Sequence, residues 1–138
     1  KTAHGPISVP ILWFRIRKQP GPGERVGIGS VGFKITLDGK TIVNLGDSIF
    51  QTEWAGLKPD VLMLPIGGPG NNTWTMDVTD ALEAVKIIAP KKVIPCHYNV
   101  AFFWIKNIAS ADDQLFKHEV EKLGVECSIM RYGDEIDF

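Results

Sequence analysis

Val61-Leu62-Met63-Leu64-Pro65-Ile66 is an apolar run without a polar break, introduced by Pro59-Asp60. A strand with one wet face alternates, so this run implies a strand buried on both faces, as in parallel sheets covered by crossover helices. The following segments fit that reading. Thr75 can cap a helix with Asp77 in its first turn, where a carboxylate suits the positive end of the dipole. Val78, Ala81, Leu82, Val85, Ile88 and Ala89 recur at i, i+3, i+4 spacing, and Pro90 stops the helix. Lys92 to Pro95 reads as a short second strand and Ala101 to Ile108 as an apolar loop. Ser110 and Asp113 form a capping box for a second helix carrying Leu115, Phe116, Val120 and Leu123, ended by Gly124. Val125 to Met130 reads as a third strand. Strand, helix, strand, helix, strand predicts right-handed crossovers and a sheet covered on both faces.

The front of the chain has a different period. Phe33, Ile35 and Leu37 alternate with Lys34 and Thr36, and Asp38-Gly39 joins them to Lys40-Thr41-Ile42-Val43-Asn44-Leu45. Asp-Gly between two such arms is the preferred two-residue hairpin turn. Val9 to Ile16 reads as an earlier strand, broken by the Pro/Gly stretch Gln19 to Gly23, and Thr52 to Leu57 as a short helix. The fold class is therefore α/β with an α+β front, a β-meander followed by βαβαβ.

Charge and cysteine usage exclude some functions. With 15 Lys and Arg against 16 Asp and Glu, the net charge is -1, and the short cluster Arg15-Ile16-Arg17-Lys18 is no basic stripe. Nucleic acid is therefore not an expected partner. No apolar run approaches the roughly 20 residues of a membrane span. Cys96 and Cys127 stand in strand-like runs without a CxxC spacing, so they read as buried free thiols, which favours a reducing, cytoplasmic setting.

Three phrases carry the chemistry: Ala3-His4-Gly5, Asn44-Leu45-Gly46-Asp47-Ser48 and Ile94-Pro95-Cys96-His97-Tyr98. Each places a His or Asp beside an apolar run, where a strand hands over to a loop. If the strands converge, two imidazoles and a carboxylate meet at one sheet edge, and these are zinc-ligand types. A single His at a strand end more often just finds a hydrogen bond, and Asp47 could instead cap the short helix that follows. His118 is the internal control: it lies off the apolar stripe of its helix and reads as solvent-facing. Asp112 and Asp113 are explained by capping, and Trp13, Trp54, Trp74 and Trp104 read as core or rim residues.

The ordered set Ala-His-Gly, Gly-Asp-Ser after a hairpin, Leu-Pro-Ile-Gly-Gly, Thr-Met-Asp before a helix, and Ile-Pro-Cys-His-Tyr resembles the C-terminal half of the metallo-β-lactamase fold. It is most similar to the branch of metal-dependent hydrolases that includes the L-ascorbate-6-phosphate lactonases and relatives of N-acylphosphatidylethanolamine phospholipase D. The resemblance implies an αββα sandwich of which residues 1–138 form one half. It implies that His4 completes the first metal site, Asp47 bridges the two metals and His97 ends the second site, with Asp47 and His97 counted as catalytic. Two divalent ions are implied, zinc first, with manganese or iron as alternatives. Members of the family use a hydroxide shared by the metals to attack an ester, lactone or phosphodiester. Tyr98 and Asn99, beside the last ligand, become substrate contacts for a small molecule. Thr75 and Met76 are weaker candidates, and Ala101 to Ile108 is either a pocket wall or plain packing.

One departure is large. The family's His-x-His-x-Asp-His motif, which supplies the other four ligands, has no counterpart in these 138 residues. Three ligands over two sites are too few, since catalytic zinc takes about three protein ligands per ion. The expectation is an N-terminal half elsewhere in the same polypeptide or on a complementary chain, without which the chain is inactive. Homo-oligomer formation is left open. A nuclease of the same fold and a metal-free interaction module are the rival readings.

Overall fold

The computed structural model describes residues 32–70, 75–102, 105–108 and 110–137. The predicted strand Val9 to Ile16 and the candidate ligand His4 lie outside these residues. Two strands, β1 (Phe33–Leu37) and β2 (Lys40–Asn44), pair antiparallel with Leu37 opposite Lys40. The turn between them uses positive φ at Asp38 (49°) and Gly39 (77°), the double left-handed conformation that an Asp-Gly hairpin requires.

After a single 3-10 turn at Thr52–Trp54, shorter than the predicted helix, β3 (Val61–Pro65) adds parallel to β2. Helix α1 (Val78–Ile88) leads to β4 (Lys92–Cys96), and α2 (Asp113–Lys122) leads to β7 (Glu126–Cys127); β4 pairs parallel with β3 and β7 with β4. The sheet order is β1-β2-β3-β4-β7. Between β4 and α2 the predicted apolar loop forms a hairpin of β5 (Val100–Phe102) and β6 (Ile105–Ile108), paired only with each other. Its aromatic and β-branched residues favour strand. No helix among the described residues is long and apolar enough to cross a membrane.

Several local expectations are corrected. Asp77, not Thr75, caps α1, its carboxylate accepting from the Asp80 N–H at 2.8 Å. Asp112, not Ser110, caps α2, accepting from the Leu115 N–H at 2.9 Å. In both cases the side chain three residues before the donating N–H has the reach that a cap needs. Leu115 and Leu123 are 49% and 42% exposed, so Phe116 and Val120 alone carry the buried stripe of α2. Strand β7 is two residues long rather than six. Glu126 and Ser128 donate to Lys91 and Val93 of the neighbouring chain segment, and the next bond in that parallel ladder would need an N–H from Pro95, which has none.

Helices α1 and α2 pack on one face of the sheet. Val43, Leu62, Val93 and Cys127 stand in register on that face, nearly fully buried against Ala81, Ala84, Val85, Ile88, Phe116 and Val120. Trp54 joins this core at 1% exposure, as expected of a core tryptophan. The opposite face carries Phe33, Asn44, Met63 and Ile94 in one row and Ile35, Ile42 and Val61 in the next. The expectation of covered faces holds on β3 and β4, where Val61 and Ile94 of this face are 2% and 8% exposed; on the front strand β1, Phe33 is 42% exposed and Leu37 53%.

Candidate metal centre

The ends of β2 and β4 deliver the two described candidate ligands to the same edge of the sheet. The Leu45 N–H still donates to the Met63 carbonyl, extending the β2–β3 ladder. Then the Asn44 side-chain oxygen accepts from the Gly46 N–H at 2.9 Å, and Gly46 adopts φ 66°. That turn is open to glycine at no steric cost, and it throws Asp47 out of the sheet with 62% of its side chain exposed. Asp47 does not cap the 3-10 turn, whose N-cap is Gln51.

At the end of β4, His97 has φ 51° and Asn99 φ 52°. Left-handed backbone at a non-glycine residue is uncommon, and His and Asn are among the types that accept it. Such conformations cost on the order of 1 kcal/mol each and collect at functional sites. The turn leaves His97 44% exposed, with its Nδ1 3.8 Å from Asp47 Oδ1. That distance is too long for a hydrogen bond, so neither group is committed to the other. Both are donor types that bind zinc and its neighbours in the first transition series, and together they fit part of a metal shell. Among the described residues no third His, Cys, Asp or Glu joins them.

The loop after His97 is fastened to α2. Asn99 accepts from the Ala111 N–H (3.2 Å) and donates to the Ala111 carbonyl (3.4 Å). Tyr98 donates to Asp113 Oδ2 at 3.1 Å, while Arg131 places Nη2 at 2.9 Å from the same oxygen and Nη1 at 3.2 Å from the tyrosine oxygen. Asp113 was expected at a cap; its carboxylate is instead buried in this cluster. Burial pushes the Asp113 carboxyl up, but hydrogen bonds from Arg131, Gln114 and Tyr98 outweigh it and hold the group below its ordinary value. Nothing in the local sequence announces this cluster, because its members lie up to 33 residues apart.

An open cleft of about 620 Å³ borders the site, with Met63, Ile94 and Cys96 on its apolar side and His97, Tyr98 and Arg131 among its polar lining. Its size suits a small molecule. Ser48, which follows Asp47, and Thr75 are buried at 0% and 5% exposure. Their loops are joined by the Met76 N–H donating to the Ser48 carbonyl (2.8 Å) and the Gly68 N–H to the Met76 carbonyl (2.8 Å). Gly68 is obligatory here, since a Cβ would lie 2.1 Å from the Thr75 carbonyl oxygen. Neither hydroxyl has a hydrogen-bond partner among the described residues. A buried polar group left so costs about 1–3 kcal/mol.

A family model described as the beta-lactamase superfamily domain matches residues 8–97, which includes Asp47 and ends at His97. The chain belongs to the beta-lactamase superfamily. Among its superfamily relatives, a UPF0173 metal-dependent hydrolase of Nanoarchaeum equitans is 38% identical over 119 residues, covering 83% of this chain and 51% of that protein. A second, from Carboxydothermus hydrogenoformans, is 35% identical over 120 residues, covering 84% and 49%. The solved structure of Igni18, a metallo hydrolase from Ignicoccus hospitalis, superposes with a TM-score of 0.69 at 29% identity, covering 93% of this chain and 51% of that one. The five-stranded mixed sheet with its two helices thus has the fold of this superfamily. The chain spans about half the length of the relatives it matches.

Proposed function

We propose that this chain is the C-terminal half of a metal-dependent hydrolase, with Asp47 and His97 as ligands at its catalytic centre. The observation that carries the reading is their convergence: two uncommitted donors, 3.8 Å apart, on strand ends held by a left-handed turn at each side. His4 is the third ligand in this reading, and the remaining ligands come from an N-terminal half in the same polypeptide or on a partner chain. Relatives named metal-dependent hydrolases, of which this chain matches about half, support it. So does the open sheet face, whose apolar residues suit a second layer.

The shell would hold two divalent ions, zinc first, which when bound supply Lewis acidity and an activated water for attack on an ester, lactone or phosphodiester. This chain's residues do the rest. Asp47 and His97 hold the ions at the sheet edge, and the fastened loop of Tyr98 and Asn99 keeps His97 in place. Tyr98 and Asn99 also border the cleft that would receive a small-molecule substrate. The unpaired thiols Cys96 and Cys127 fit a reducing, cytoplasmic location.

The test is metal analysis and hydrolysis by the intact protein, with Asp47→Ala and His97→Ala beside it. About two equivalents of metal in the native protein, and loss of metal and of hydrolysis in both variants with metal-free melting unchanged, is the expected result. Retention of hydrolysis by His97→Ala would sink the proposal. Lactones, acyl esters and phosphodiesters, screened in parallel, identify the bond that is cleaved.

A further inference from the structure

Buried hydroxyls in folded proteins nearly always find a partner, and two without one, on loops joined by a backbone hydrogen bond, call for an explanation. Ser48 Oγ and Thr75 Oγ1 are such a pair. Ser48 directly follows Asp47, and its carbonyl holds the Met76 N–H, so Thr75 is pinned against the same loop. Gly68, whose missing side chain lets the Thr75 carbonyl come close, fixes that placement further. Packing alone does not require a hydroxyl at either position: alanine and valine would fill the same space without an unsatisfied oxygen.

Metal-ligating imidazoles bind through one nitrogen and almost always give the other N–H to an acceptor that fixes the ring. A hydroxyl oxygen has two lone pairs for that purpose. We infer that Ser48 and Thr75 are positioning residues for the metal shell, their hydroxyls accepting the outward N–H groups of imidazole ligands that gather around Asp47. The inference rests on the metal-dependent reading above. It adds residues that bind no metal themselves but set how tightly the shell holds it.

The test uses the intact protein, carrying Ser48→Ala, Thr75→Val or Thr75→Ser. Zinc is titrated against a competing chelator, and the melting temperature of the metal-free protein is measured for each variant. Loss of a ligand's outer partner typically weakens metal binding by about 10- to 100-fold. The expected result is a zinc Kd raised by that factor in Ser48→Ala and Thr75→Val, near-normal affinity in Thr75→Ser, and metal-free melting unchanged or higher. A zinc Kd within about twofold of the parent in both hydroxyl-free variants would overturn it, as would an equal loss of metal-free stability, which would mean that the hydroxyls serve packing or a buried water. If the parent protein itself takes up no metal, the metal-dependent reading fails first, and that outcome is distinct from normal binding in the parent with no effect of the variants.

Discussion

The two faces of the central sheet share five strands and differ in almost everything else. On one, Val43, Leu62, Leu64 and Val93 are 0% exposed beneath α1 and α2. On the other, Phe33 and Leu37 stay largely exposed, and the cleft beside His97 opens along Met63 and Ile94. The amino-acid types are equally apolar on both, so composition does not separate them; the packing of the helices does. Apolar area left in water on one side of a sheet marks a surface that binds something, and here that surface runs up to the candidate metal edge. Among the described residues, the sheet is closed by two helices on one side and carries exposed apolar side chains on the other.

The comparison breaks first under truncation. Leu64→Ala on the helix face should cost about 2–5 kcal/mol in denaturant unfolding, the usual range for emptying a closed core site. Phe33→Ala on the open face should approach about 3 kcal/mol in the intact protein if a second layer covers it. A cost near 0.5 kcal/mol, typical of a surface site, would show the face to be bare and would remove the sandwich.

Gly68→Ala tests the edge where the two faces meet. Its Cβ would lie 2.1 Å from a backbone oxygen, so the Thr75-Met76 segment must move, at about 1–3 kcal/mol and with loss of the Met76–Ser48 bond. Melting of the variant, with exchange of the Met76 amide, reads both effects.

Arg131→Ala should lower the melting temperature only slightly, because the arginine side chain is 62% exposed while Asp113 is not. The pH dependence has a definite sign. The Asp113 carboxyl is held below its ordinary 3.8, so the cluster stabilises the fold at pH values above that and loses its contribution as pH falls through the lowered value. Melting followed from pH 6 downward should drop more steeply below about pH 4 in the parent than in Asp113→Asn. Equal curves would mean that the cluster contributes nothing.

The thiols sharpen the contrast most gently. Cys127 sits on the helix face and Cys96 on the open one. Burial pushes both up to about 11, so both should alkylate slowly at pH 8. Cys96, half-buried and lining the cleft, should react first; faster labelling of Cys127 would contradict the assignment of faces.

Local signals in the sequence placed β1 to β4, both helices and their order, but read the β5–β6 hairpin as a loop. Val61 to Ile66 suited a strand buried on both faces, Asp38-Gly39 matched the preferred hairpin turn, and Gly46-Asp47 and Cys96-His97 stood at strand exits. These are local signals, written in hydrophobic period and backbone permission. Contacts between distant residues were not legible. The sequence assigned Asp113 to a cap, and only the fold shows it beside Tyr98 and Arg131; it read β7 as six residues, and only the missing N–H of Pro95 on the neighbouring strand cuts it to two. That two hydroxyls at Ser48 and Thr75 end buried and unpartnered was likewise decided by tertiary packing, because a side chain's burial depends on what the rest of the chain brings against it.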